Sequence, residues 1–199
     1  IPKHSVQMSA RKLRYEWFYQ LLEIHKYDYI LTAHHLNDSI ETFLINLIRS
    51  TGIDGLTGIK SINNKVIRPL LYFNKSQIMN YAFENKIQWR EDSSNKKNDY
   101  LRNKIRNKLL PVLKDIDSDF INNFSNTIDR LKDSSLILKQ YTESFKSLHF
   151  IENNDQILIL KSTLINLSET MIFNLFNDYG FKNPEQILNL CSSKSGKII

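Results

Sequence analysis

Cysteine is nearly missing from this chain: 199 residues hold one, Cys191. A single thiol excludes an internal disulfide and any metal or redox centre built from several thiolates of this chain, and it argues against sulfur-transfer chemistry. Glycine is scarce too, with five residues, and neither a P-loop nor a G-x-G-x-x-G spacing occurs, so the glycines do not identify a nucleotide site. No apolar run approaches the roughly 18 residues needed to cross a bilayer. The opening "IPKHSVQMSARK" lacks the apolar core of a signal peptide. These absences predict a cytoplasmic protein without a membrane partner. There is no internal repeat, and no low-complexity tract beyond a general richness in Asn, Ile and Lys.

What is present is the composition of a folded globular protein, 41% hydrophobic and 24% charged, too apolar for a disordered one. The length allows one large or two small domains, and two is the working number. A net charge of +6 points to an anionic partner, of which nucleic acid is the commonest large one; a solvated basic surface explains the charge equally well. The chain starts at Ile1 without an initiator Met and ends on "SGKII", the beginning of a strand pattern. It is expected to be a fragment truncated at both ends.

Hydrophobic periodicity supplies the organisation. "SARKLRYEWFYQLLEIHKY" places Leu13, Trp17, Leu21 and Ile24 at a helical period, with Arg11 and Arg14 off that stripe. "YDYILTA" then reads as a short buried strand, and a second helix follows. Helix, strand, helix is the rhythm of an α/β domain with a parallel sheet. "TGIDGLTGI" holds Gly52, Gly55 and Gly58, with Gly52 a candidate helix cap, and "NKVIRPLL" a short strand. Asn74 opens an Asn-x-x-Gln capping pattern, "KIQW" reads as a strand, and "REDSSNKKND" as a surface loop. "YLRNKIRNKLL" is a helix that Pro111 is expected to end or kink. Beyond residue 116 the texture turns helical: one long or two packed helices over "DSDFINNFSNTIDRLKDSSLILKQYTESF", an isolated strand "DQILILK", a helix stopped by Gly180, and a last one capped by Asn183 with Pro184 at its first position.

Two clusters carry candidate chemistry. In "ILTAHHLNDSIETFLINLIRS" (30 to 50), a helix from about His34 to Ile48 puts Leu36, Ile40, Phe43, Leu44 and Leu47 on one face and His34, Asp38 and Glu41 on the other. Ligands of open α/β sheets bind where strands end and helices begin. Two carboxylates one turn apart can hold a divalent metal or an ammonium group. Asp38-Ser-Ile-Glu41 is equally a capping box, in which Asp38 caps the helix and Glu41 reaches back. His34 and Asp38 are four residues apart, but without a third ligand they make no metal site. In "RNKIRNK", Arg102 and Arg106 share one side of the stripe of Ile105, Leu109 and Val112, with Asn103 and Asn107 extending the polar surface. Paired guanidiniums suit phosphate, and a solvated basic face is the alternative.

Six motifs then occur in register: "ARKLRY" at 10 to 15, "TAHHLNDSIET" at 32 to 42, "RSTGIDGLTGI" at 49 to 59, "RPLL" at 68 to 71, "EDSSN" at 91 to 95 and "RNKIRNKLLP" at 102 to 111. Over residues 8 to 115 the chain thereby resembles the tRNA(Ile)-lysidine synthase family of the N-type ATP pyrophosphatase, or PP-loop, superfamily. The helical remainder resembles that family's substrate-binding domain. The resemblance implies an α/β, adenine-nucleotide alpha-hydrolase-like (Rossmann-like) domain with a parallel sheet over 1–115, incomplete at its N-terminus, and a mostly helical tRNA-binding domain over 116–199.

It also implies an ATP-dependent ligase acting on the wobble cytidine of the tRNA(Ile) with a CAU anticodon. ATP adenylates the base at the oxygen on ring carbon 2 with release of pyrophosphate, and the side-chain amine of free L-lysine then attacks that carbon and displaces AMP. ATP and Mg²⁺ are the implied cofactors. Asp38 and Glu41 are implied as the acidic pair, with Arg14 beside them as catalytic. Ala33, His34, Arg102, Asn103 and Arg106 are implied at the nucleotide. The family's Ser-Gly-Gly-x-Asp-Ser loop does not occur in this sequence and belongs upstream, so the chain alone is expected to be inactive. Asn37 and Ser39 replace an acidic residue and a glutamine, and Ser50 a glycine. A non-catalytic RNA-binding module is the alternative from another class, and another PP-loop tRNA-modifying enzyme the alternative within the superfamily. The lone cysteine argues against a thiolating one.

Overall fold

The computed structural model describes residues 6–90, 101–154 and 156–193, in two compact units, Ile1–Leu131 and Lys132–Ile199. In the first unit, helix α1 (Val6–Ile24) carries no proline or glycine and ends where Lys26 turns left-handed at φ 55°. Its expected stripe is not what it buries. Leu13, Trp17 and Ile24 are exposed, and Leu22, one residue off that stripe, is buried at 4% exposure. Periodicity fixes that a helix has an apolar side; which of two adjoining flanks faces the core depends on the packing partner.

Strand β1 (Ile30–Leu31) leads into α2 (Leu36–Ile48) and the short α3 (Ile53–Leu56), which Gly52 precedes as N-cap. Gly52 therefore opens the short helix rather than closing α2, whose end is set by Arg49 and by Ser50 at φ 56°. Strands β2 (Ile62–Asn63) and β3 (Val66–Ile67) form an antiparallel hairpin through Asn64 at φ 51°, a conformation Asn tolerates better than most residues. β1 pairs with β3 in parallel, Ile30 opposite Val66 and Leu31 opposite Ile67, in the order β1-β3-β2. The sheet among the described residues is therefore mixed: one parallel pair, with β2 folding back because its connection to β3 is a tight turn.

A 3₁₀ turn (Pro69–Tyr72) follows, then α4 (Lys75–Glu84), begun by the expected capping box. Asn74 Oδ1 accepts from the Gln77 N–H at 2.9 Å, and Gln77 Oε1 accepts from the Asn74 N–H at 2.8 Å. Residues 87–90 form no strand. The loop motif at 91–95 and the closing "SGKII" lie outside the described residues. Helix α5 (Leu101–Lys104) passes through a π-helical turn (Ile105–Leu109) into α6 (Leu110–Ile116), so Pro111 does not end the helix but sits in the first turn of its continuation, just after a local distortion.

Helix α7 (Phe120–His149) is a single 30-residue helix. Its Phe120, Ile121, Phe124 and Ile128 pack with Ile40, Ile105 and Leu110 in the core of the first unit, with Phe43 edge-on to Phe124 at 4.9 Å. The division of units therefore falls at 131/132, within α7, whereas the change of sequence texture lies near 115/116.

In the second unit β4 (Ile151–Asn153) and β5 (Gln156–Leu158) form an antiparallel hairpin, so the strand read as isolated has a partner. Helices α8 (Lys161–Leu164), α9 (Glu169–Phe176) and α10 (Pro184–Ser192) follow. Ser168 caps α9 and Asn183 caps α10, and Gly180 at φ 93° terminates the 3₁₀ turn after α9. Leu164, Met171, Ile172, Leu175 and Ile187 make an all-apolar core. Among the described residues no helix is long and apolar enough to cross a membrane.

Candidate active site at the end of β1

The C-terminal end of β1 is held by the Thr32 N–H donating to Ile67 O at 3.0 Å, and the chain then turns through Ala33, His34 and His35 into α2. The N-cap is His35, not Asp38. The His35 N–H donates to Asp38 Oδ2 at 3.0 Å, so Asp38 is the residue that reaches back, and the helix starts three residues earlier than the sequence capping box places it. His35 Nδ1 lies 3.4 Å from the same oxygen. Glu41 is thereby released from any capping role.

Glu41 has gone inside instead. Its side chain is 1% exposed, although the helical wheel places it opposite the apolar face, because a second helical segment covers that side of α2. An unpaired carboxylate there would cost several kcal/mol. Arg106 offsets this with a bidentate fork: Nε donates to Oε1 at 2.6 Å and Nη2 to Oε2 at 2.9 Å. The same Nη2 donates to Asp38 Oδ1 at 3.3 Å. Burial pushes the Glu41 carboxyl above its ordinary range while the Arg106 fork pulls it back. Hydrogen bonding to Glu41 holds the Arg106 guanidinium more firmly charged.

Arg102 completes the cluster. Its Nε lies 3.6 Å from Glu41 Oε2, and its Nη2 donates to Thr42 Oγ1 at 3.1 Å; Thr42 in turn donates to Asp38 O at 2.8 Å. Arg102 remains 39% exposed, Arg106 28% and Asp38 14%, so each keeps an edge toward solvent while Glu41 does not. Two carboxylates and two guanidiniums sum to zero charge.

His34 is part-buried, with Thr32 Oγ1 2.9 Å from its Nδ1. Desolvation lowers its pKa below the ordinary 6.5; Asp38 opposes that, and the guanidiniums of Arg68, Arg11 and Arg102 reinforce it. The ring is therefore neutral at neutral pH. Arg68 is 5% exposed, with Nη1 donating to Lys60 O at 2.8 Å.

Of the residues singled out in the sequence, Asp38, Glu41, Arg102 and Arg106 come together, with His34 beside them. Asn103 follows Arg102 on α5, part-buried, and Ala33 is exposed in the loop after β1. Arg14 is exposed on α1, and none of the described interactions joins it to the acidic pair. Arg11, one turn earlier, lies in the electrostatic range of His34, with its guanidinium 5.0 Å from the Tyr15 ring centre. Thr32, Thr42, Arg68 and Ser39 were not legible as site residues. Ser39 Oγ, buried behind Asp38, accepts from the Ile59 N–H at 2.9 Å, and with Asn46 Nδ2 donating to Gly55 O at 2.7 Å it staples the glycine-bearing loop to α2. A side chain on Gly58, at φ 74°, would collide with Ser39 Oγ.

Known proteins share this arrangement of sequence. The chain is 34% identical over 190 residues to a tRNA(Ile)-lysidine synthase of Porphyromonas gingivalis, covering 95% of this chain and 41% of that protein. It is 35% identical over 193 residues to the one of Bacteroides thetaiotaomicron, covering 97% and 45%, and 32% identical over 187 residues to the one of Bacillus subtilis, covering 92% and 38%. The chain thus spans less than half the length of each of these relatives. Residues 2–113 match the family described as PP-loop domain, a stretch that takes in β1, the whole acidic and basic cluster and the π-helical turn, and the chain belongs to that family.

Proposed function

We propose that this chain carries the acceptor-binding part of an ATP-dependent ligase that joins lysine to ring carbon 2 of the wobble cytidine in the tRNA(Ile) with a CAU anticodon. The observation that carries this reading is the charge-balanced cluster of Asp38, Glu41, Arg102 and Arg106 at the end of β1. It lies in a PP-loop domain whose relatives are named for that product. The fold proposed for the domain is the parallel-sheet, adenine-nucleotide alpha-hydrolase type, to which the β1-β3 pair belongs.

The geometry separates roles that the sequence treats alike. Glu41, walled in, is a positioning residue whose work is to orient Arg106. Asp38 keeps an outward edge and is the carboxylate proposed to meet the lysine ammonium group. Lysine must lose a proton before its amine attacks. The neutral imidazole of His34, or Asp38 itself, is placed to take it. Arg102, half exposed, is the guanidinium proposed to meet phosphate oxygens, with Asn103 beside it. Arg106 is already committed to carboxylates. Ala33 and His34, in a loop lying in the field of Arg11, Arg68 and Arg102, suit an anionic nucleotide. Arg14 is proposed to contact phosphate of ATP or of the tRNA backbone from α1. The mostly helical part beyond residue 116 is proposed to hold the tRNA.

ATP supplies the adenylate leaving group when bound. The acidic pair does not fit Mg²⁺: a hard cation would have to displace the Arg106 fork from a buried carboxylate, and among the described residues no group of three or more His, Cys, Asp or Glu converges. Mg²⁺ is proposed to enter on the ATP phosphates. The test is two-part. A longer chain that also carries the Ser-Gly-Gly-x-Asp-Ser loop upstream is expected to exchange labelled pyrophosphate into ATP only with the tRNA present, and thin-layer analysis of its product is expected to give lysidine only with lysine added. Full lysidine formation by D38A would sink the acceptor assignment.

A further inference from the structure

The π-helical turn between α5 and α6 has a specific cause and a specific effect. Leu110 N–H donates to Ile105 O, a bond one residue longer than in an α-helix, immediately before Pro111. Proline has no N–H for the carbonyl of Asn107, four residues back, and its ring crowds that carbonyl, so an ordinary α-turn is blocked there. One extra residue in the turn relieves both problems without ending the helix, as π-bulges do.

The effect is on register. At 3.6 residues per turn, Ile105 and Leu110 would point about 140° apart. Both are buried, at 2% and 4% exposure, in one core. Opening the turn swings Leu110 back over Ile105, and Arg106, inside the widened turn, stays over α2 beside Arg102. Its fork then spans Glu41 while one arm still reaches Asp38 at 3.3 Å.

We propose that Pro111 is a positioning residue for the candidate site: by holding the preceding turn open it seats Arg106 on Glu41 and Asp38. Pro111 is itself exposed and has no polar side-chain atom with which to bond any of the three, so it acts through the backbone. An N–H at position 111 lets an ordinary α-turn form, the turn closes by one residue, and with Leu110 held in the core Arg106 rotates away from the carboxylates. The consequence for lysine use rests on the function proposed above; the consequence for geometry does not.

The variant is Pro111→Ala, which places the best helix former at an exposed position, with Pro111→Gln as the second. In ¹H–¹⁵N spectra the Arg106 Nε–H, shielded by its 2.6 Å bond to Glu41, is expected to exchange slowly with solvent in the parent protein. In both variants its protection is expected to fall by about tenfold or more while a protected amide emerges at position 111. In the assay for the proposed reaction, the KM for lysine is expected to rise about tenfold, with tRNA-dependent pyrophosphate exchange within about twofold of the parent. An Arg106 Nε–H that keeps its protection in both variants would show that core packing, not proline, holds the turn, and overturns the proposal. Absence of pyrophosphate exchange in a parent that carries the upstream Ser-Gly-Gly-x-Asp-Ser loop would sink the proposed function while leaving the spectroscopic result to decide on Pro111.

Discussion

The two compact units bury their side chains on opposite terms. The core of the second is apolar, and the one polar side chain buried there among the described residues, Thr142, satisfies itself within its own helix by donating to Leu138 O at 2.8 Å. The first encloses a carboxylate, a guanidinium and a serine alongside its hydrophobic core, each bonded to a different element or loop of the chain. Charge is an expensive way to hold a fold together, since well-packed apolar residues of similar volume do as well or better. A domain that seals a carboxylate under an arginine fork where a strand meets a helix is giving up stability for geometry, and that contrast supports the site proposed in the first unit.

The comparison breaks most sharply at Arg106. R106M leaves Glu41 buried without its counter-ion and is expected to lose about 3–5 kcal/mol in urea denaturation. The double variant E41L/R106M is expected to recover most of that loss while the proposed lysidine formation stays absent, because stability needs only filled volume and the proposed site needs the charges. Recovery of activity along with stability would remove the cluster from the mechanism. In the second unit, L175A is expected to cost about 2–5 kcal/mol by opening a cavity. It should leave the Arg106 Nε–H as protected as before; a changed Arg106 signal would contradict the separation of the two units.

Smaller effects sharpen the same contrast. S39A removes the acceptor for the Ile59 N–H and is expected to cost about 1–3 kcal/mol, with faster exchange at Ile59. Unchanged exchange there would show that Asn46 alone holds the loop. The smallest effect concerns His34. Its folded pKa lies below 6.5, so between the two values the unfolded chain binds more protons than the folded one. Stability is therefore fully present above pH 6.5 and is lost as pH falls through that value toward the folded pKa. H34N is expected to flatten this part of the stability profile; an equally steep profile would assign the acid sensitivity elsewhere.

Much of the local structure was legible because its causes are local. Asn74 with Gln77, Asn183 before Pro184, and Gly180 announced helix ends through hydrogen bonds and dihedral angles that span only a few residues. The junction of strand and acidic helix was legible for the same reason, and motif order was enough to point to a PP-loop domain. Legibility failed where two local signals compete. Asp38 and Glu41 spell a capping box as well as Asp38 and His35 do, and only the demand of Arg106 on Glu41 separates them. The α1 stripe failed likewise, since a helix with apolar residues around more than half its girth has more than one face to bury.

What the sequence by itself determined, then, is the longer helices, the caps at Asn74 and Asn183, the family, and the residue types gathered near β1. What only the tertiary structure decided is which of those residues are equivalent. Arg102 and Arg106 are alike in sequence, yet one is half exposed and the other is locked across 65 positions of chain to Glu41. Asp38 and Glu41 are alike, yet one looks out and the other is sealed. The physical reason is that burial and charge pairing are properties of the space between elements, and the turn that sets that space at Pro111 has a helical period of its own.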